Sequence, residues 1–298
     1  LAYGQSIKGG EGDDFLESTG AVTTNAAGDV VSGFETFRFG GNFTQDLAKF
    51  GNNTFTFIEL SGRTANVDGI VNEEVLIKSA LGGASSADLK VNTGSSDSIN
   101  LKLEAAVSTD FTNELTLAGI ETINIFSKNS AKSPAEAFHT IDLVTAAATT
   151  LNLTGDTGLV FATGGNTDVT AVTTVNASGM AITKDTYAGV TFATTNSTAN
   201  AAVTITGSNG VDTLTGGSAT NDTISGGAGV DTITYLGGRD VYTGGAGKDA
   251  FCVESLQDNV TADYLTIADF TKGDTLDLST TISFSIGNDT NGIGAATT

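Results

Sequence analysis

Residues 226–234 read GGAGVDTIT, and residues 244–252 repeat the arrangement as GGAGKDAFC. Both belong to a longer series in which large apolar residues recur at intervals of 10, 9, 9 and 9, each preceded by an aspartate two positions earlier. The apolar residues are Leu214, Ile224, Ile233, Tyr242 and Phe251, and the aspartates are Asp212, Asp222, Asp231, Asp240 and Asp249. A fixed period of this size predicts a solenoid in which short strands alternate with glycine-rich turns.

The glycines and aspartates of these turns are the residue types that a calcium site needs. Glycine permits positive φ angles and close approach of backbone carbonyl groups, and aspartate adds an anionic oxygen. Oxygen ligands without sulfur or imidazole favour Ca²⁺ over zinc or iron. Besides the five aspartates, the candidate metal-binding residues are Gly207, Gly210, Gly226, Gly227, Gly229, Gly244, Gly245 and Gly247.

This pattern resembles the calcium-binding nonapeptides of the repeats-in-toxin (RTX) family of secreted proteins. The resemblance implies a right-handed parallel β-roll in which two repeats make one turn and Ca²⁺ lies between stacked loops. One edge would stack Asp212, Asp231 and Asp249, and the other would stack Asp222 on Asp240. The second edge departs from the pattern, because Tyr235 and Leu236 replace its leading glycine pair. We therefore expect weaker calcium binding there.

Two further segments carry candidate ligands. Residues 9–17, GGEGDDFLE, match the motif once, with Gly9, Gly10, Gly12 and Asp14 at the ligand positions. Residues 263–279 resemble the segment that closes such rolls, and Asp263, Asp269, Asp274 and Asp277 could complete a last calcium site. The alternatives are turn capping by an isolated aspartate and a solvated acidic cap.

Upstream of the repeats, apolar and polar residues alternate in eight segments, which predicts strands. These segments are 54–60, 99–103, 119–126, 139–145, 149–155, 172–179, 188–195 and 202–208. Hairpin signals are scarce, which favours a parallel β-solenoid over a sandwich. Helix candidates are 43–50, part of 73–81, and 133–139. We predict an all-β chain comprising the end of an upstream calcium-repeat region (1–40), an irregular solenoid (41–206), the roll (207–252) and a cap (253–298).

Composition excludes several classes of partner. The formal charge of −21 repels phosphate backbones and anionic membrane surfaces, so we expect no nucleic acid. No apolar run is long enough for a membrane helix, and we expect no membrane insertion. The single Cys252 excludes an internal disulfide and is interpreted as a small core residue. The chain begins without Met, and we interpret it as a piece of a longer protein.

Sequence patterns argue for a structural protein and against an enzyme. Between residues 132 and 239 the only basic residues are Lys132, His139, Lys184 and Arg239, and no GxSxG elbow occurs, so no catalytic residue is assigned. His139 is interpreted as a structural or surface residue, although sequence alone leaves a Ser/His/Asp triad open.

The GxET segments 33–36 and 119–122, together with VTTVNASGM at 172–180, resemble surface-layer proteins of Gram-negative bacteria exported by type I secretion. The resemblance implies a secreted coat on the cell surface whose copies associate with one another in a calcium-dependent lattice. A cell-surface polysaccharide would be bound through regions outside this chain. The alternatives are an RTX adhesin spacer or binding module, and the non-catalytic repeat part of a polysaccharide lyase or epimerase.

Overall fold

The computed structural model describes the greater part of the chain. The described residues are 6–22, 30–50, 55–60, 66–70, 73–78, 87–91, 96–131, 137–162, 169–196, 201–218, 220–254 and 264–278.

Strands alternate along the chain between two long parallel sheets. The first sheet contains β2 (Phe15–Ser18), β4 (Thr36–Phe39), β6 (Phe57–Glu59), β8 (Glu74–Ile77), β10 (Ser98–Ala105), β12 (Thr122–Asn129), β14 (Thr150–Gly155), β16 (Thr174–Met180), β18 (Thr204–Thr206), β20 (Thr223–Ala228), β22 (Arg239–Ala246) and β24 (Tyr264–Ile267). The second sheet contains β5 (Thr44–Asp46), β7 (Asn66–Ile70), β9 (Ala87–Val91), β11 (Thr109–Ala118), β13 (Phe138–Val144), β15 (Gly158–Phe161), β17 (Ala188–Ala193), β19 (Val211–Thr215), β21 (Thr232–Tyr235), β23 (Ala250–Val253) and β25 (Thr275–Leu278). A short pair joins β1 (Ser6–Lys8) to β3 (Val30–Ser32).

The core consists of apolar residues stacked in register between the two sheets. In β10, for example, alternate side chains are buried and their neighbours face outward. One inward column runs through Ile123, Leu151, Val175, Ile205, Ile224 and Tyr242, all of which are buried. Because each buried side chain of this size contributes about 1.5–3 kcal/mol, every turn gains stability mainly from the turns beside it.

This architecture confirms the predicted all-β, parallel β-solenoid fold. Each of the eight upstream segments contains one strand, from β6 in the segment 54–60 to β18 in the segment 202–208. The ladders also continue across residues 41, 207 and 253, so the described strands on either side belong to the same sheets. The domain borders drawn from sequence stay predictions.

The helix candidates were largely wrong. The segment 43–50 contains β5 followed by one 3-10 turn, Leu47–Phe50, and the segment 73–81 contains β8. The end of the segment 133–139 begins β13, whereas residues 132–136 lie outside the described part. The segment 73–81 was predicted as a helix because a short apolar run fits a helix and a buried strand equally well. In the structure the run forms β8, which buries Val75, Leu76 and Ile77 consecutively.

Cys252 lies on the outward, partly exposed side of β23, so its interpretation as a core residue was wrong; Phe251 and Val253 fill the core beside it. In the part of the chain that the structure describes, no helix has the length and apolar character required to cross a membrane.

Candidate metal centre

The glycine turns of the repeats lie on top of one another at one edge of the stack. Gly227 pairs in register with Gly245 between β20 and β22, and an aspartate stands at or just before the start of the next strand in the second sheet. Gly229 has φ +126°, and a Cβ atom there would clash with the carbonyl oxygen of Gly210 one turn below. Only glycine therefore allows the turns to stack this closely.

Exchanging Gly229 for alanine is expected to destabilise the repeats by about 3 kcal/mol or more, because positive φ strain and a backbone clash add together. Gly12 is a matched control, since its φ is +120° but a Cβ atom added there would meet no other atom within 4 Å. Gly12→Ala should cost only about 1–2 kcal/mol. Thermal unfolding with calcium present compares the two; equal losses would show that the close approach at Gly229 is unimportant.

The aspartates of the same edge form a ladder that runs from turn to turn. The backbone N–H of Asp212 donates to Oδ1 of Asp231 at 2.9 Å, and that of Asp231 donates to Oδ1 of Asp249 at 3.0 Å. All three side chains are buried. The structure thus brings together the three residues that the RTX resemblance assigned to one stack.

Asp231 carries a buried oxygen that the protein leaves unpartnered. Its Oδ2 atom is buried and accepts no hydrogen bond. Burial raises the pKa of Asp231 to about 7, to which the charges of Asp212 and Asp249 contribute. Burial likewise raises the pKa of Asp212 to about 6 and raises that of Asp249. A cation at this edge would offset the cost of burying these carboxylates.

Backbone oxygens complete the donor set beside that atom. Next to Gly226 lie both Oδ2 of Asp231 and the carbonyl oxygen of Gly244, and next to Gly207 lie Oδ2 of Asp212 and the carbonyl oxygen of Gly226. Among the described residues, no group of three or more acidic, His or Cys side chains could hold an ion. An ion would thus need carbonyl ligands as well, and mixed carboxylate and carbonyl oxygens fit Ca²⁺.

The opposite edge satisfies its carboxylates with protein donors. Asp222 accepts hydrogen bonds from Val203 N, Gly217 N and the Thr220 hydroxyl at 2.6–2.8 Å. Asp240 accepts from Asp222 N at 2.8 Å through Oδ1 and from the Tyr242 hydroxyl at 2.9 Å through Oδ2.

The Tyr235 hydroxyl on this edge donates to the carbonyl oxygen of Gly238 at 2.8 Å. Tyrosine hydroxyl protons thus occupy oxygens that correspond to calcium ligands in the repeat pattern. This arrangement agrees with the weaker calcium binding expected there.

The acidic residues after the repeats divide into two roles. Asp274 continues the ladder, since its Oδ1 accepts from Asp249 N at 3.0 Å, and backbone donors lower its pKa. Asp269 accepts from Gly244 N and Gly245 N at 2.9 and 2.8 Å, so it caps the last glycine turn. Asp277 is exposed, and Asp263 lies outside the described residues. A calcium site formed by these four stays a prediction.

The single motif near residue 9 adopts the same local geometry. Gly12 has φ +120°, and Gly10 N donates to Oδ2 of Asp14, as Ser208 N does to Oδ2 of Asp212. Asp14 N donates to Glu35 Oε2 at 2.8 Å, which is one step of a ladder. Asp14 is partly exposed, however, and calcium binding by Gly9, Gly10, Gly12 and Asp14 stays a prediction.

The glutamates of the GxET segments have a role that was not predicted from the sequence. Glu121 Oε2 accepts from Asp97 N at 2.7 Å, which repeats the bond between Glu35 and Asp14. The preceding Gly33 and Gly119 both have positive φ. The sequence did contain a signal for this role. In each GxET segment a glycine stands two residues before the glutamate, and the same offset separates Gly229 from Asp231 in the repeats.

Ser127 and His139 form a buried pair at the boundary between the sheets. Ser127 Oγ lies 3.2 Å from His139 Nδ1, and both side chains are 0% exposed. A substrate cannot reach this serine, so the pair does not form an accessible triad. Burial lowers the pKa of His139 to about 4, although the charge of Asp156 opposes this effect.

Acidification should destabilise the solenoid through His139. Its pKa is lower in the folded state, so protons bind the unfolded chain preferentially and stability falls as the pH drops from about 6.5 towards 4. Between pH 7 and pH 5 this residue alone accounts for about 2 kcal/mol. In the His139→Gln variant, the free energy of unfolding should therefore fall less between pH 7 and pH 5 than it does in the parent chain. His139 is the chain's single histidine, so an unchanged pH profile would contradict this.

Comparison with known proteins supports the calcium assignment. The family model for the RTX calcium-binding nonapeptide repeat (4 copies) matches residues 201–221, 206–242 and 217–251. A search of curated proteins finds no match. The chain thus carries RTX repeats in a parallel β-roll, a non-catalytic repeat segment whose ion is Ca²⁺. Proteins with such repeats are typically secreted.

Proposed function

We propose that this chain is a structural, non-catalytic surface-layer protein whose copies form a calcium-dependent two-dimensional lattice outside the cell. The observation that carries the calcium dependence is the buried, unpartnered Oδ2 of Asp231 beside the Gly244 carbonyl oxygen. The long stack of two parallel sheets supports the structural role, because it provides a rigid subunit.

In this proposal, the edge through Asp212, Asp231 and Asp249 holds the ions with carbonyl oxygens of the stacked turns. Calcium supplies the positive charge that lets these carboxylates stay ionised while buried. The need for an ion is greatest at Asp231, whose Oδ2 has no protein donor. On the other edge Thr220 donates to Asp222 and Tyr242 donates to Asp240, much as Ser208 donates to Asp212 on the first edge.

An RTX adhesin spacer is the second candidate. It is favoured by the same rod-like repetition, which would hold a binding module away from the surface. A catalytic lyase or epimerase domain is disfavoured by the inaccessible Ser127 and His139 pair and by the scarcity of basic residues in the solenoid. The non-catalytic repeat part of such an enzyme stays an alternative.

Electron microscopy of the purified chain with and without millimolar calcium tests the proposal. Ordered sheets that appear with calcium and dissolve with a chelator are expected. Magnesium at the same concentration is the control, because it demands a smaller octahedral site and should not replace calcium. Monomers that persist in calcium at high protein concentration would contradict the lattice and favour the adhesin.

A further inference from the structure

Two columns of side chains, all hydroxyl or amide except for the exposed Val241, run along the outer face of the first sheet. Strand register aligns the members of each column from turn to turn. The first column contains Ser98, Thr122, Thr150, Thr174, Thr204, Thr223, Val241 and Thr266. The second contains Asn100, Asn124, Asn152, Asn176, Thr206, Ser225 and Thr243. We call this surface the polar face.

The polar face is uncharged in a strongly acidic chain. The formal charge is −21, yet neither column contains an acidic or basic residue. The second column is bounded by Glu74 on β8, and the charged positions Lys102, Glu104 and Lys128 lie beyond the columns towards the strand ends. Two copies that approach through charged parts of the surface bring like charges together, whereas this face avoids that repulsion. The second sheet also has an uncharged outer column through Thr191, Thr213 and Thr232, but the polar face differs from it in its hydrogen-bonded asparagines.

Hydrogen bonds within the face hold its side chains in order. Asn124 Nδ2 donates to Asn100 Oδ1, and Asn152 Nδ2 donates to Asn124 Oδ1, both at 2.9 Å. Every threonine and asparagine of the columns is at least partly exposed, and the most exposed are Asn100, Asn176, Thr204, Thr223 and Thr266. The ladder reduces the side-chain entropy that an interface would have to fix.

We propose that the polar face is the surface through which two copies of this chain associate, face to face about a two-fold axis. Hydroxyl and amide groups both donate and accept, so the face is complementary to itself, as a two-fold contact requires. This inference rests on the proposed function in that it names one contact of the lattice.

The dimensions indicate a weak contact. Eight strands spaced about 4.8 Å apart give a face about 34 Å long but only two side chains wide. Such a strip is narrower than an interface of standard size, so an isolated pair dissociates readily. Many such contacts in a sheet act together, and their combined avidity stabilises the assembly.

Cysteine cross-linking tests the geometry. In a Cys252→Ala background, which removes the chain's one native thiol, Thr174→Cys places a thiol near the middle of the first column. Thr191→Cys is the matched control, a partly exposed threonine on β17 of the other sheet. With calcium and mild oxidant, we expect dimers of Thr174→Cys to form at least about tenfold faster. Equal rates, or no dimer from either variant while sheets still form, would overturn the proposal.

Charge insertion provides a second test that does not depend on thiol chemistry. Thr174→Glu and Thr174→Lys should both raise the protein concentration needed for sheet formation by about tenfold, because a charge near the two-fold axis meets its own copy. Thr191→Glu should change it little. Unaltered assembly by both Thr174 variants would place the contact elsewhere and leave the surface-layer function standing. If the parent chain never assembles but Thr174→Cys cross-links selectively, the lattice fails and the face-to-face contact stands.

Discussion

Chelation of calcium is expected to unfold residues 207–254 while the solenoid at residues 96–162 stays folded. The segment 207–279 contains ten Asp and one Glu against three basic residues, a formal charge of −8. Its strands have four to eight residues, whereas β10 to β14 have six to ten and bury larger ladders of Ile and Leu. Repulsion among buried carboxylates should therefore outweigh the smaller apolar gain once the ion is removed.

Hydrogen exchange followed by mass spectrometry locates the effect along the intact chain. Extracellular sites bind calcium at about 10⁻⁴ to 10⁻³ M, so millimolar calcium adds about 0.4–1.4 kcal/mol per site. With several sites, amides of the repeats should exchange about tenfold faster or more in chelator. Amides of β12 and β14 serve as the internal control. Equal protection of the repeats in both conditions would mean that the roll folds without its ion.

Asp231→Asn should shift the calcium midpoint of the roll more than any other single ligand change. Asp231 lies in the middle of its ladder, and its Oδ2 is buried without a hydrogen-bond partner, which is why we propose it as an ion ligand. Asparagine retains an acceptor for Asp212 N but loses the charge, so we expect the midpoint to move to about a tenfold higher calcium concentration.

Asp240→Asn is the matched control on the opposite edge. There the change alters the hydrogen bond with Tyr242, so thermal stability should fall by a similar amount with and without calcium. In Asp231→Asn, by contrast, thermal stability should fall mainly when calcium is present. Titrations followed by circular dichroism separate the two; equal shifts of midpoint would show that both edges bind calcium alike.

The period of the repeats predicted a solenoid of short strands and glycine-rich turns, and the resemblance to RTX repeats predicted the grouping of the aspartates. Two repeats make one turn in that family, so residues 18 or 19 apart were expected to stack, and Asp212, Asp231 and Asp249 do so. Alternation predicted the upstream strands for the same reason, because one face of each strand points into the core.

Other features depend on contacts that no local pattern encodes. The strand β8 has an apolar run that fits a helix equally well, and only its neighbours β6 and β10 determine the outcome. The hydrogen bond from Tyr242 to Asp240 depends on the geometry inside the turn, although Tyr242 was identified as an apolar core residue. The hydrogen bonds accepted by the glutamates of the GxET segments depend on which backbone amide lies one turn away, and the local sequence does not reveal this.

The direction of the carboxylate ladder gives the stack a chemical polarity. Asp212, Asp231 and Asp249 each donate a backbone N–H to an acid in the turn that follows in sequence. If the C-terminal turn folds first, its aspartate Oδ1 is already in place to accept the backbone N–H of the preceding turn. If the N-terminal turn folds first, its aspartate N–H has no acceptor until the next turn has folded. Folding that starts at the C-terminal end is thus favoured, and single-molecule refolding that begins equally well from either end would disprove it.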